Sequence, residues 1–146
     1  RNSLITNTNG GFLISQIKQV SGRVFEQILS KAGIEAFNGA QGRILYVLWQ
    51  QDCVPIVEIA RKTGLAKNTL TAMLDRMEAL GLVKREHDAK DRRRVTVSLT
   101  EKARGLQEQY DAVSNEVNAI FYDGFSEPEV REFEAYLVRI LNNLTK

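Results

Sequence analysis

The chain has 146 residues, which is the length of one domain or of one domain with an appended module. Apolar residues make up 43% and charged residues 26% of it, a globular composition that excludes a disordered or fibrous protein. The sequence contains no apolar run of about 18 residues and no basic-then-apolar signal peptide. We therefore expect a cytoplasmic protein without a membrane partner.

The sequence offers few residues for metal binding or nucleophilic catalysis. Cys53 is the one cysteine and His87 the one histidine. These numbers exclude a disulfide framework within one chain and leave a metal cluster almost without ligands. Nothing in their surroundings favours a nucleophilic pair of the two, and His87 is expected to be a surface residue or to lie next to a phosphate. We expect no metal, no cofactor and no enzymatic activity.

Basic residues are concentrated in one segment. Residues 61–104 contain twelve Lys and Arg against six Asp and Glu, whereas the rest of the chain contains eight bases and twelve acids. A contiguous basic segment on an otherwise acidic chain indicates a surface that faces a polyanion. A solvated charged face gives the same count, so the charge alone leaves both interpretations open.

Helical periodicity dominates the first third of the chain. Apolar residues recur every three or four positions over residues 12–32, and Gly33 follows as a stop. Asn38 and Gln41 predict the capping box of a second helix, which ends near residue 51. Residues 53–56 are long enough for only a token strand.

A helix-turn-helix pattern follows. A short helix is predicted over about 56–63, a turn over 63–65 and a longer helix over about 67–80, which Gly81 ends. A short helix, a glycine-containing turn and a longer helix are typical of DNA-binding helix-turn-helix motifs.

Strand periodicity then replaces helical periodicity. Residues 82–86 and 95–99 predict two strands, which the basic loop 87–94 joins into a hairpin, or wing. Thr100 is a predicted N-cap for a long helix from 101 to about 123, and a capping box at 126–129 opens the last helix. The predicted fold class is mainly α with a small β-wing (α+β), a winged helix-turn-helix core with N- and C-terminal dimerisation helices.

The second helix of the motif has two different sides. The apolar side, which we expect to face the core, consists of Leu70, Met73, Leu74, Met77 and Leu80. The opposite side is polar or small, which suits a DNA major groove, where Asn pairs with adenine and Thr bonds several bases. We predict DNA contacts at Lys67, Asn68, Thr69, Thr71 and Arg76, the first and last of them on phosphates. An exposed face without a partner is the alternative.

The wing concentrates positive charge. Four of the five positions 90–94 are basic: Lys90, Arg92, Arg93 and Arg94. These like charges repel one another, so their concentration does not stabilise the fold unless an anion lies opposite. Arginine is favoured in a narrow minor groove, and Asp91 is placed to orient a neighbouring arginine through a bidentate pair. We therefore predict that these five residues contact DNA, with the helix in the major groove and the wing in the adjacent minor groove.

Residues from about 12 to 145 resemble the MarR family of bacterial winged-helix transcription regulators. Ile56-Val57-Glu58-Ile59-Ala60 with Gly64-Leu65 is similar to the family's first motif helix and turn. Thr69-Leu70-Thr71, Leu74-Asp75-Arg76-Met77-Glu78 and Gly81-Leu82-Val83 resemble its recognition helix and exit. The most specific stretch, from Asp91 to Lys102, resembles its wing and the start of its long helix.

The resemblance implies a homodimeric repressor on a palindromic double-stranded DNA operator, controlled by a small molecule or by thiol oxidation. Asp91 and Arg93 match the family's wing pair, with Arg93 in the minor groove. The sequence departs from the family at Ala66, where a capping Asp or Ser is usual, and at Ala72, where a polar or basic residue is common. Both departures affect which operator sequence the protein would recognise, and they leave the mode of DNA binding unchanged.

The terminal helices carry more apolar residues than they need to cover one small domain, which indicates a partner copy. We expect residues 1–37 to supply an N-terminal dimerisation helix, 38–100 the DNA-binding domain and 101–146 the C-terminal dimerisation helices. Predicted dimer contacts are Ile17, Val20, Phe133, Leu137, Ile140, Leu141 and Leu144. Simple packing of these helices on the core is the alternative.

Four aromatic residues are candidates for a pocket that binds a small aromatic or anionic effector: Phe25, Tyr46, Trp49 and Tyr110. Core packing explains them equally well. Cys53 is expected to be a small buried residue, with a redox-sensing thiol as the alternative. A further alternative is a protein-interaction module whose wing meets an acidic partner instead of DNA.

Overall fold

The structure is a computed structural model that describes residues 5–146 of the chain. In chain order its elements are α1 (Gly10–Lys31), α2 (Gly39–Gln50), β1 (Val54–Pro55), α3 (Ile56–Thr63), α4 (Lys67–Ala79), β2 (Val83–His87), β3 (Val95–Leu99), α5 (Glu101–Arg104), α6 (Gln107–Phe121) and α7 (Glu127–Leu144). Over the described residues no helix is both long and apolar enough to cross a membrane.

The three strands form one antiparallel sheet in the order β1-β3-β2. Strands β2 and β3 pair along their whole length, with Val83 opposite Leu99 and His87 opposite Val95. The two-residue β1 adds a third strand, with Val54 opposite Val97. The predicted hairpin is thus present, and the predicted token strand joins it on the far side of β3.

The core lies where α2, α3 and α4 meet this sheet. All four parts contribute fully buried side chains, among them Ile44, Leu45, Leu48, Ile59, Leu70, Leu74, Met77 and Val97, and Leu82 just before β2 is fully buried as well. Burial of such side chains stabilises the fold by roughly 1.5–3 kcal/mol each. The predicted apolar side of α4 is therefore the buried side, and its polar side faces outward.

Several helix ends form as the sequence predicts. The Asn38 side chain accepts a hydrogen bond from the Gln41 N–H (2.8 Å), and the Gln41 side chain accepts one from the Asn38 N–H (3.0 Å). Ser126 and Glu129 form the same reciprocal arrangement at the start of α7. Gly81 follows α4 with a φ of 74°, in the left-handed region that glycine enters without strain.

Two predictions about helices are wrong. The helix expected from residue 101 to 123 is interrupted between Arg104 and Gln107, because the carbonyl of Ala103 accepts bonds from the Trp49 indole (3.1 Å) and the Leu106 N–H (3.1 Å). Leu80, expected in the core, is 48% exposed, because α4 ends one residue earlier and the chain turns away there.

Candidate nucleic-acid interface

The first turn of α4 is exposed, and buried side chains of the same helix fix it to the core. Lys67, Asn68 and Thr69 are all exposed, whereas Leu70 and Leu74 of the same helix are fully buried. Thr63 closes the preceding turn, because its hydroxyl donates to the Ile59 carbonyl (2.7 Å) and accepts from the Leu65 N–H (3.3 Å). The turn therefore fixes where the exposed residues lie.

The start of α4 lacks a side-chain cap. Ala66 occupies the N-cap position, as the sequence indicates, and it offers the first N–H groups no acceptor. The Thr71 hydroxyl donates back to the Lys67 carbonyl (2.9 Å), so it does not fill that role. This end of the helix thus presents free N–H groups and a positive dipole end beside Lys67.

Hydrogen bonds between residues of the wing loop hold its conformation. The Asp88 carboxylate accepts from the Lys90 N–H (2.8 Å) and the Asp91 N–H (3.3 Å), and the Asp88 N–H donates to the Arg94 carbonyl (2.8 Å). The ring Nδ1 of His87 lies 2.6 Å from the Arg92 carbonyl oxygen. His87 is exposed, as expected, and contributes to the shape of the loop.

Asp91 and Arg93 form the predicted bidentate pair. The Asp91 carboxylate accepts from Nε of Arg93 at 3.1 Å and from Nη2 at 3.3 Å. These hydrogen bonds hold the pKa of Asp91 below its ordinary value. The Arg93 side chain nevertheless remains 92% exposed, so the pair sets its direction without covering it. Lys90, Arg92 and Arg94 are exposed as well.

The α4 start and the base of the wing lie beside each other. Lys67 and Thr71 of α4 line the same depression, of about 270 Å³, as Arg93 and Arg94 of the wing. The rest of the lining consists of Val95 at the start of β3 and of Pro55, Ile56, Val57 and Ala60 from β1 and α3. Four of the predicted contact residues thus line one recess, whereas Arg76 lies exposed further along α4.

Sequence reasoning missed the ion pairs on the flank of α4. Arg85 on β2 donates through Nη2 to Asp75 (2.6 Å) and to Glu78 (2.7 Å), both on α4. The Arg85 N–H and Nε also reach Glu78, at 3.3 Å and 3.2 Å. The spacing of two acids three residues apart, followed by an arginine on the next strand, was the available signal.

The terminal helices keep an exposed apolar face. No residue of α7 is buried, although Tyr136, Ile140, Leu141 and Leu144 lie on it. Of the predicted dimer residues, Ile17 and Val20 on α1 and the last three on α7 are exposed, and Phe133 and Leu137 are half-buried. A groove of about 290 Å³ between α1 and α6 is lined almost wholly by apolar side chains, Ile17 and Val20 among them.

Tyr110 is the centre of an aromatic cluster. The centroid of its ring lies 5.3–6.1 Å from the rings of Trp49, Phe25, Phe37 and Tyr46, and burial raises its pKa. Two open grooves meet at this residue, one of about 510 Å³ and one of about 450 Å³, and exposed Arg43 lines both. Phe25 and Tyr46 each line one groove.

Two expectations in this region need correction. Trp49 lines neither groove, because its ring packs on Tyr110 and its N–H is bonded to Ala103. Cys53, expected to be buried, is exposed. Its backbone takes a φ of 56° at the turn into β1, and its sulfur lies 3.5 Å from the Ser98 hydroxyl oxygen. The turn carries the side chain away from the apolar interior.

Comparisons with known proteins agree with this architecture. Residues 37–95 match the model of the MarR family. The chain is 31% identical over 109 residues to the HTH-type transcriptional regulator TtmR of Methylorubrum extorquens, covering 75% of this chain and 54% of TtmR. It is 36% identical over 98 residues to the uncharacterized HTH-type transcriptional regulator YfiV of Bacillus subtilis, covering 59% of this chain and 61% of YfiV. The chain thus spans only half to three-fifths of these relatives.

Solved structures show the same fold. A mutant MarR from E. coli complexed with operator DNA superposes with a TM-score of 0.78 at 27% identity, over 90% of this chain and 92% of that one. The PcaV transcriptional regulator from Streptomyces coelicolor, in complex with its natural ligand, gives a TM-score of 0.81 over 97% of this chain and 98% of that one. At 18% identity the PcaV comparison bears on the fold alone.

The helix-turn-helix, its wing and the flanking helices define a winged helix-turn-helix protein. Residues 37–95 form a MarR-family domain. This confirms the fold class and the resemblance predicted from the sequence, and the family is one of DNA-binding regulators rather than enzymes.

Proposed function

We propose that the protein is a cytoplasmic, homodimeric transcription regulator, a repressor, that binds a pseudo-palindromic operator. The recognition helix α4 enters the major groove through Asn68, Thr69 and Thr71, and the wing enters the adjacent minor groove through Arg93. The single observation that carries this proposal is the recess that the start of α4 and the wing share. One duplex can reach both elements at once from that side.

The charges of the two elements support phosphate contacts. Four exposed bases lie on the wing, and the uncapped end of α4 offers N–H groups beside Lys67. Backbone N–H groups and Lys or Arg side chains are the groups that position a protein on DNA phosphates. Arg76 and Lys67 are proposed as such contacts, so their loss should weaken binding to every duplex about equally.

The dimer is proposed from the exposed apolar faces of α1 and α7. Residues 1–37, of which 1–4 lie outside the described residues, and residues 101–146 would carry the dimerisation helices, with contacts through the apolar residues predicted above, and residues 38–100 the DNA-binding domain of each protomer. A two-fold axis through this interface would place two copies of α4 about one helical turn of DNA apart, on successive major grooves. The apolar side chains that define the interface are those left exposed in one copy.

The main test compares duplex binding by the wild type and by Arg93→Ala. The variant should lose roughly 1–3 kcal/mol of binding free energy for every duplex, because a charge-assisted contact is lost. The control is Arg131→Ala on α7, which makes the same change of charge at an exposed ion pair far along the chain. Equal binding by both variants and the wild type at physiological salt would contradict the proposal.

A second arm distinguishes base reading from phosphate contact. Asn68→Ala should flatten the sequence preference in a selection from random duplexes, because the amide no longer pairs with a base. Binding should also weaken with salt, at a log–log slope near −0.9 per phosphate contact. A protein that binds no duplex even at about 50 mM salt would instead be an interaction module for an acidic protein.

We also propose that an aromatic carboxylate acts as effector in the grooves around Tyr110. Arg43 supplies an exposed guanidinium beside aromatic rings, the combination that such a ligand requires. Trp49 is the one tryptophan, so benzoate or 4-hydroxybenzoate bound here should change its fluorescence. The same titration on Arg43→Met should show weaker binding; an unchanged titration would remove this site from the proposal.

A further inference from the structure

The DNA-facing side of α4 carries negative charge as well as polar groups. Asp75 lies seven residues, or two turns, beyond Asn68, so the two side chains leave the helix within roughly 20° of each other. Glu78 follows one turn later, on the flank nearer to β2. Carboxylates at these places repel the phosphates of an approaching duplex, because like charges that face each other at close range are unfavourable.

Arg85 lies against both of these carboxylates. Its Nη2 contacts Asp75 at 2.6 Å and Glu78 at 2.7 Å, and two further hydrogen bonds from Arg85 end on Glu78. The side chain of Arg85 is 22% exposed, whereas that of Asp75 is 61% exposed. The hydrogen bonds from Arg85 lower the pKa of Glu78, and the bonds to Glu78 and Asp75 raise the pKa of Arg85.

These contacts also join the two DNA-reading elements. Arg85 belongs to β2, which leads directly into the wing loop, and its partners belong to α4. The backbone N–H of Arg85 takes part, so the bond to Glu78 fixes the strand itself and not only a side chain.

We infer that Arg85 is a positioning residue for DNA binding, which pairs with the carboxylates of the recognition helix and so neutralises them. This inference rests on the proposed function. Arg85 acts through Asp75 and Glu78 and needs no contact with DNA. Ion pairs this exposed add little to folding stability, so the effect of Arg85 appears mainly in binding.

The experiment measures duplex affinity of the full chain by fluorescence anisotropy, at about 50 and 200 mM salt, on a duplex selected by the wild type. Arg85→Met should weaken binding about tenfold at the lower salt and less at the higher, because the exposed repulsion is screened. The triple variant, with Asp75→Asn and Glu78→Gln added, should return to within about threefold of the wild type, because the uncovered charges are gone.

Two further variants separate charge from folding. Asp75→Asn with Glu78→Gln, in a chain that keeps Arg85, should bind DNA more tightly than the wild type, because the freed guanidinium adds positive charge. Arg131→Met on α7 changes the net charge by the same amount as Arg85→Met and should leave affinity within about twofold of the wild type. Thermal unfolding of each variant shows that the compared proteins are folded.

A triple variant as weak as Arg85→Met, with both proteins folded, would overturn the inference, because the arginine would then act by structure alone. Weaker binding or an altered consensus in the Asp75→Asn, Glu78→Gln protein would also overturn it, because a carboxylate would then read a base. Should Arg85→Met fail to fold, this double variant decides the question alone. A wild type that binds no duplex would refute the proposed function itself, which is a different result.

Discussion

The substitution Gly42→Ala tests how the aromatic cluster is packed. A Cβ at Gly42 would lie 2.7 Å from Cε1 of Tyr110, 3.0 Å from Cδ1 and 3.4 Å from a ring carbon of Phe37. The Tyr110 ring has little room to retreat, because the rings of Phe25 and Trp49 also pack on it with centroids at 5.7 Å and 5.3 Å. Something in this buried cluster must therefore shift.

The expected magnitude is the difference of two effects. Overpacking of a filled core costs about 1–3 kcal/mol, while replacing a helical glycine by alanine gains about 0.5–1 kcal/mol. We predict that Gly42→Ala lowers the free energy of unfolding by about 1–2 kcal/mol. Urea titrations at one fixed protein concentration measure it, because the proposed dimerisation would make apparent stability depend on concentration.

Gly22→Ala on α1 is the matched control. A Cβ there would meet nothing within 4 Å, so only the helix-propensity gain remains and the variant should be more stable by about 0.5–1 kcal/mol. Equal changes of stability in the same direction for the two variants would contradict this prediction. Tyr110 would then be free to move, and the groove beside it would be less defined than the packing indicates.

Three further predictions concern the dimer, the hydrogen bonds of Asp52 and the thiol of Cys53. Leu137→Asp on α7 should give a monomer in analytical ultracentrifugation with the helical circular dichroism of the winged core retained; an intact dimer would place the interface elsewhere. Although burial alone would raise the pKa of Asp52, hydrogen bonds from the Leu99 N–H, from Arg104 and from the Cys53 N–H hold this pKa below its ordinary 3.8. The stabilisation that Asp52 gives the folded protein is therefore present above pH 3.8 and is lost as the pH falls through the lower pKa of the folded state. Asp52→Asn should therefore destabilise the protein at pH 7 and progressively less at acidic pH, as measured by urea titrations at pH 7 and in acid. A loss in the free energy of unfolding that does not shrink in acid would contradict this prediction. Cys53→Ser should leave DNA affinity of the reduced protein unchanged and abolish any response to peroxide; a persisting response would exclude a thiol switch at this exposed residue.

The local features of the fold could be predicted because they depend on neighbouring residues. The capping pairs Asn38–Gln41 and Ser126–Glu129 join residues three apart, and the pair of Asp91 and Arg93 joins residues two apart. The buried side of α4 follows from helical spacing in the same way. Each of these patterns is complete within one turn or one loop of sequence.

The features that the sequence did not reveal depend on contacts between distant segments. Asp52 accepts from the Leu99 N–H, 47 residues away, and pairs with Arg104, 52 residues away. The break after α5 arises because the Trp49 indole bonds the Ala103 carbonyl from another helix. The neutralisation of Asp75 by Arg85 requires that β2 lie against α4, which only the folded chain establishes.

The central claim is that α4 and the wing of two protomers bind adjacent grooves of one duplex. Selection of bound duplexes from a random pool, followed by measurement of the spacing between half-sites in the selected sequences, tests it most directly. We expect an inverted repeat with half-site centres about 10 base pairs apart, or a multiple of that, bound by two chains. Selected sequences without a repeat, or no enrichment at all, would contradict the claim.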